Sequence, residues 1–170
     1  ASLERAGSFA ESLQPFRPDL ATRAAMAGLT VSTVPRTEVR LTSWAQSRVL
    51  LTLRLNRNAL LCDLRQLADL ERAANGVAGE AVELNIDDFD ASHVTGSDRR
   101  VTQRVSRWAH DSGYEGLLYP SRLGTAWTCC ALFNRVRPRI INREPVLAGD
   151  ADLLEVSLAF GIRVSSKTRR

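Results

Sequence analysis

Lysine is almost missing from this 170-residue chain: of its 23 basic residues, only Lys167 is not an arginine. Arginine offers planar, bidentate contacts to phosphate and carboxylate, and its excess equally fits the codon usage of a GC-rich genome. The net charge of +4 would permit nucleic-acid binding. The arginines are scattered, however, and only the terminal Lys167–Arg170 is densely basic, so direct nucleic-acid binding is not expected. Histidine is scarce as well. His93 and His110 show no ligand spacing to each other or to cysteine, so no metal site is expected. The cysteines are Cys62, Cys129 and Cys130, with no Cys-x-x-Cys, which suggests reduced thiols in a reducing compartment. No apolar run approaches the roughly 18–20 residues of a membrane span. No basic-then-apolar signal segment opens the chain, so a cytoplasmic location is expected. Internal repeats and a dividing linker are both lacking, which leaves one domain over residues 1–170.

What is present reads as an ordinary globular α+β chain, 44% hydrophobic and 25% charged. Leu3, Ala6, Phe9, Ala10 and Leu13 fall at helical spacing, stopped by Pro15, with Glu4, Ser8 and Glu11 on the other side. A short helix over Leu20–Ala27 is expected in a stretch rich in Pro, Arg and Thr. Val49–Leu55 reads as a strand, and Ala59–Cys62 as a second extended piece. Asp63-Leu-Arg-Gln66 looks like a capping box opening a helix to about Ala74. Asn75–Gly96 reads as loop, with Asp87–Asp90 a solvated turn that lacks calcium-loop spacing. Asp98 caps a helix with the apolar stripe Val101, Val105, Trp108 and Ala109. Strands are expected at Leu117–Tyr119, Cys129–Phe133 and Val136–Ile141. Asp150 caps a last helix, Ala151–Phe160, closed by Gly161. The elements do not alternate as regular βαβ units.

The most informative stretch is Gly113–Phe133. An apolar run ends in Tyr119-Pro120-Ser121-Arg122, a short loop follows, and a second apolar run begins. Pro120 fixes its own φ and biases Tyr119 towards extended geometry, so Ser121 and Arg122 are presented at the lip of a sheet. A serine after a proline is also a common turn former. No Gly-x-Ser-x-Gly surrounds Ser121 and no histidine stands in a triad context, which argues against a serine hydrolase. Tyr119 reads either as a stacking surface for a planar base or as a core aromatic. Arg122 reads either as a pyrophosphate clamp or as a surface ion pair. Trp127, Cys129 and Cys130 are taken as packing residues, and Arg99, Arg100 and Arg104 as residues that pair acids.

This pattern resembles the C-terminal signature of the RES domain, a family named for an Arg, a Glu and a Ser. Its members are NAD-degrading toxins of bacterial type II toxin–antitoxin pairs. Ser8-Phe9-Ala10-Glu11-Ser12-Leu13 is similar to the family segment in which a small-apolar pair precedes the signature Glu. Asp98-Arg-Arg-x-Thr-Gln-x-x-Ser-Arg-Trp also looks familial. The resemblance implies Glu11 and Ser121 as the catalytic pair, Glu11 meeting oxocarbenium character on the ribose and Ser121 hydrogen-bonding the nicotinamide ribose or amide. Tyr119 and Arg122 would contact NAD, which enters as substrate and not as a bound cofactor. The implied fold is α+β, similar to ADP-ribosyltransferase toxins, with NAD in a cleft between short sheets and water or phosphate as acceptor. The implied partner is a small helix-turn-helix antitoxin, and a homodimer remains open. The family's signature Arg lies upstream of the Glu, and no residue before Glu11 fills that place. The domain is therefore expected to be N-terminally incomplete. A catalytically inactive module that binds an antitoxin stands as the alternative to the enzyme.

Overall fold

The computed structural model describes residues 1–19, 21–22, 38–39, 41–96 and 98–164. The expected helix over Leu20–Ala27 lies almost wholly outside them. The architecture is α+β. It divides into two compact units, one of Ala1–Gly7 with Leu53–Arg139 and one of Ser8–Thr52 with Ile140–Arg170. In chain order the elements are α1 (Arg5–Leu13), β1 (Glu38–Val39), α2 (Leu41–Gln46), β2 (Val49–Arg54), β3 (Leu61–Asp63), α3 (Leu67–Gly76), α4 (Ala78–Glu83), α5 (Ala91–Thr95), α6 (Arg99–Asp111), β4 (Gly116–Ser121), β5 (Gly124–Leu132), β6 (Arg139–Pro145), α7 (Ala151–Ala159) and β7 (Arg163–Val164).

The first unit is built on the sheet β3-β4-β5, in which β3 runs parallel and β5 antiparallel to the central β4. Every second residue of a strand points to the same face. Cys62, Leu117 and Tyr119, with Ala131 and Phe133, turn towards α3 and α6 and join Leu64, Ala73, Val77, Val105 and Ala109 in one core cluster. Helix α6 supplies Val101, Val105 and Ala109 to the interior, as its spacing implies. The Asp98 carboxylate accepts the Arg100 N–H at 2.9 Å and opens the helix. The helix closes on Gly113 at φ +90°, with the Tyr114 N–H donating to Ala109 and the Gly113 N–H to His110. These are the paired bonds of a Schellman end, which L side chains cannot reach without strain.

The second unit holds the parallel pair β1-β7 and the two-stranded sheet β2-β6. Its buried apolar side chains include Phe9, Leu13, Leu41, Trp44, Leu153, Val156 and Phe160. Asp150 accepts the Asp152 and Leu153 N–H groups at the start of α7. At the other end Gly161, at φ +68°, lets the Ile162 N–H reach Ser157. Val49, Leu51, Ile140 and Ile141 on β2 and β6 are exposed.

Four expectations are corrected. Helix α1 starts at Arg5, and Ala1–Leu3 is extended: Ser2 bridges Cys129, and the Leu3 N–H donates to Thr128. Asp63 caps no helix, because parallel pairing with Leu118 holds it in β3 and α3 begins later, without a side-chain cap. The stretch 75–96 is largely helical. Val77 separates α3 from α4, and Asp90 forms a capping box with His93 at the start of α5. Finally, Pro138 delays β6 until Arg139, past the expected start at Val136.

Candidate active site

Pro120 stands in the central strand of a sheet, where a missing N–H would ordinarily break the ladder. It is tolerated on the β3 side because the pairing with β3 ends at Leu118, two residues before the proline. On the other side Pro120 pairs with Thr128, but Ser121 pairs with Gly124. Thr125, Ala126 and Trp127 are consequently looped out of register. This bulge re-aims the strand end and leaves Arg122 and Leu123 as a two-residue turn. The Trp127 indole folds back over Gly124, where an added Cβ would lie 2.9 Å from its ring. Its Cβ also lies close to Gly7, 3.1 Å from where a side chain there would begin. The two glycines make room for the tryptophan, consistent with its reading as a packing residue.

Ser121 is 4% exposed, and its Oγ accepts the Leu123 N–H at 3.1 Å. The hydroxyl thus takes part in the turn and is held in a fixed place by it. Arg122 is exposed at the tip. Tyr119 is partly buried and packs against the core cluster, so the core reading of this aromatic is realised on at least part of its ring. Tyr119, Ser121 and Arg122 come together on one strand end. Glu11 belongs to the second unit, on the exposed side of α1.

A group that sequence reasoning missed lies beside the bulge. Thr128 is 6% exposed, yet every polar group it has is engaged. Its N–H donates to Glu4 Oε2 at 2.6 Å, and its carbonyl accepts the Leu3 N–H at 2.9 Å and the Ser2 hydroxyl at 2.8 Å. Its Oγ1 accepts from Arg65 Nη1 at 2.8 Å. The Arg65 fork also grips Asp63, Nε to Oδ1 at 2.7 Å and Nη2 to Oδ2 at 2.8 Å. Burial pushes the Glu4 carboxyl up, but hydrogen bonds from Thr128 and Ser2 outweigh it and hold the group below its ordinary value. Asp63 is lowered too, chiefly by the Arg65 hydrogen bonds against opposing desolvation. The only sequence signal for this group was the i,i+2 spacing of Asp63 and Arg65.

Arg100 pairs with Asp98 at 2.7 Å, and Arg104 faces Glu80 and Glu83 at 3.9 and 3.5 Å. Cys62, Cys129 and Cys130 are buried and not in disulfides. Burial pushes Cys62 up to about 11 and raises Cys130 as well, the opposite of what a nucleophilic thiol needs. Among the described residues no group of three His, Cys, Asp or Glu is placed to hold a metal ion, and no helix is long and apolar enough to cross a membrane.

The fold and the strand end define an α+β domain whose proline-fixed turn exposes Arg122 but, contrary to expectation, buries Ser121, because the serine side chain folds into the turn to accept the Leu123 N–H. Residues 1–154 match the family model of the RES domain, and the chain belongs to that family. The family is linked to NAD-degrading toxins and so to enzymes acting on NAD. Comparison with curated proteins and with solved structures returned no match.

Proposed function

We propose that this chain is the toxin of a type II toxin–antitoxin pair and degrades NAD by cleaving the nicotinamide–ribose bond. The observation that carries the reading is the family match over residues 1–154, which takes in both Glu11 and the Tyr119-Pro120-Ser121-Arg122 strand end. In this reading the bond between the ribose C1′ and the pyridinium nitrogen breaks, and its electron pair leaves with neutral nicotinamide. Positive charge develops on the ribose, and an oxygen of water or phosphate closes on C1′ and gives up its proton. The Glu11 carboxylate stabilises that charge or takes that proton. The Ser121 hydroxyl, fixed by the turn, hydrogen-bonds the ribose or the carboxamide. Arg122 clamps the pyrophosphate through its fork, and the outer part of Tyr119 stacks on the nicotinamide. NAD loss arrests growth, and a helix-turn-helix antitoxin is the partner that restrains it. The α+β architecture accords with similarity to ADP-ribosyltransferase toxins.

The test follows NAD concentration over time, with and without phosphate, for the chain and its Glu11→Ala and Ser121→Ala variants. Glu11→Ala is expected to slow the loss by about 10²-fold or more, the scale of removing one charge-stabilising group. Acceleration by phosphate would identify the acceptor. Persistent NAD in the presence of the unaltered chain would leave the antitoxin-binding module as the better reading.

A further inference from the structure

We infer that Arg65 and Thr128, together with Glu4, act as a positioning relay for the turn that carries Ser121 and Arg122; the catalytic consequence rests on the function proposed above. Thr128 is the first residue of β5 paired in register after the three-residue bulge, and it stands opposite Pro120, the neighbour of Ser121. A bulge is set by where its base is held. Here the base is held from two directions by groups outside the hairpin. Glu4 and the Ala1–Leu3 segment occupy its backbone N–H and carbonyl. Through the side chain, Arg65 takes its hydroxyl while remaining locked in a two-point grip on Asp63.

The geometry explains why an arginine is used. The fork must satisfy both Asp63 oxygens with two nitrogens and still reach Thr128 with the third, a demand that the single ammonium of lysine cannot meet. It also explains why Thr128 is both buried and polar, since each of its donors and acceptors has a partner and burial leaves none unsatisfied. The relay is built from contacts among Arg65, Asp63, Thr128, Glu4 and the Ala1–Leu3 segment. Its members are therefore positioning residues, acting through the backbone of β5 on the Ser121–Gly124 closure.

Three variants separate positioning from mere stability. Thr128→Val keeps the shape and loses the hydroxyl, Thr128→Ser restores it, and Arg65→Lys keeps charge without the fork. In folded protein, exchange of the Leu123 amide, read by NMR, is expected to rise about tenfold in Thr128→Val and Arg65→Lys and to return to normal in Thr128→Ser, as for local opening of the turn. NAD turnover in the same samples is expected to show kcat reduced about tenfold in Thr128→Val with KM unchanged, and rescue in Thr128→Ser, the signature of a misplaced group. Unchanged Leu123 exchange in Thr128→Val and Arg65→Lys would overturn the inference whatever the kinetics. The expected rise in Leu123 exchange, in a protein that consumes no NAD, would sink the proposed function alone, since the exchange result decides the relay independently.

Discussion

At the scale of single residues, close approach and burial dominate. Gly116 opens β4 where an added Cβ would lie 2.6 Å from the Ala131 carbonyl oxygen. That oxygen belongs to the paired strand and has nowhere to go. Gly116→Ala is therefore expected to destabilise by about 1–3 kcal/mol, the usual cost of overpacking, as a lowered denaturant midpoint would show. A midpoint equal to that of the parent would contradict the tight pairing. The thiols make a second case. Cys62 is fully buried and its thiol is pushed up to about 11, and Cys129 and Cys130 are also buried. A thiol-reactive dye at pH 8 is expected to find essentially no fast-reacting thiol in the native chain, and all three after denaturation. A rapidly labelled native cysteine would reopen the question of thiol chemistry.

At the scale of elements, the helices that announced themselves are those whose caps and apolar spacing agree. Asp98 with Val101, Val105 and Ala109, and Asp150 with Leu153 and Val156, gave both signals, and both helices stand where expected. Removing the cap by Asp98→Ala is expected to cost about 1 kcal/mol, measurable as a drop in stability with the helix otherwise intact. The short helices were not legible. Gly76 and Gly79 are loop signals by composition, yet α3 runs through Gly76, which lies against the Trp108 indole and leaves no room for a side chain. A packing requirement put glycine there, and local propensity cannot reveal it. Asp63 misled in the opposite way, since its cap-like context was overridden by parallel pairing with Leu118. The strand end at Tyr119–Arg122 was legible because proline, a Gly-bounded apolar run and a turn coincide. The relay was not, because its hydrogen bonds join residues 63 and 124 positions apart.

At the scale of the whole molecule, the sheets differ in support. The β3-β4-β5 sheet backs onto a helical core, whereas β2-β6 is a two-stranded ribbon with Val49, Leu51, Ile140 and Ile141 exposed. Two-stranded ribbons are marginal on their own. Amides of β2 and β6 are expected to exchange with solvent faster than those of β4, and equal protection would contradict this. Acid sensitivity follows from Glu4 and Asp63. Both carboxyls are held below their ordinary values in the folded chain. Their stabilisation is thus present above the unfolded values near about pH 4 and is lost as pH falls through the lower folded values. Thermal stability is expected to decline below about pH 4, and more shallowly in Glu4→Gln. Parallel acid profiles would show that Glu4 contributes nothing.

Cleavage of the nicotinamide–ribose bond by Glu11 and Ser121 is the reaction proposed for this RES-family chain. It is tested most directly by measuring nicotinamide released from NAD, by chromatography, for the chain beside Glu11→Gln and Ser121→Ala. One nicotinamide is expected for each NAD consumed, with release slowed by about 10²-fold or more in Glu11→Gln and clearly reduced in Ser121→Ala. NAD consumed without nicotinamide, or nicotinamide released equally fast by all three proteins, would contradict it.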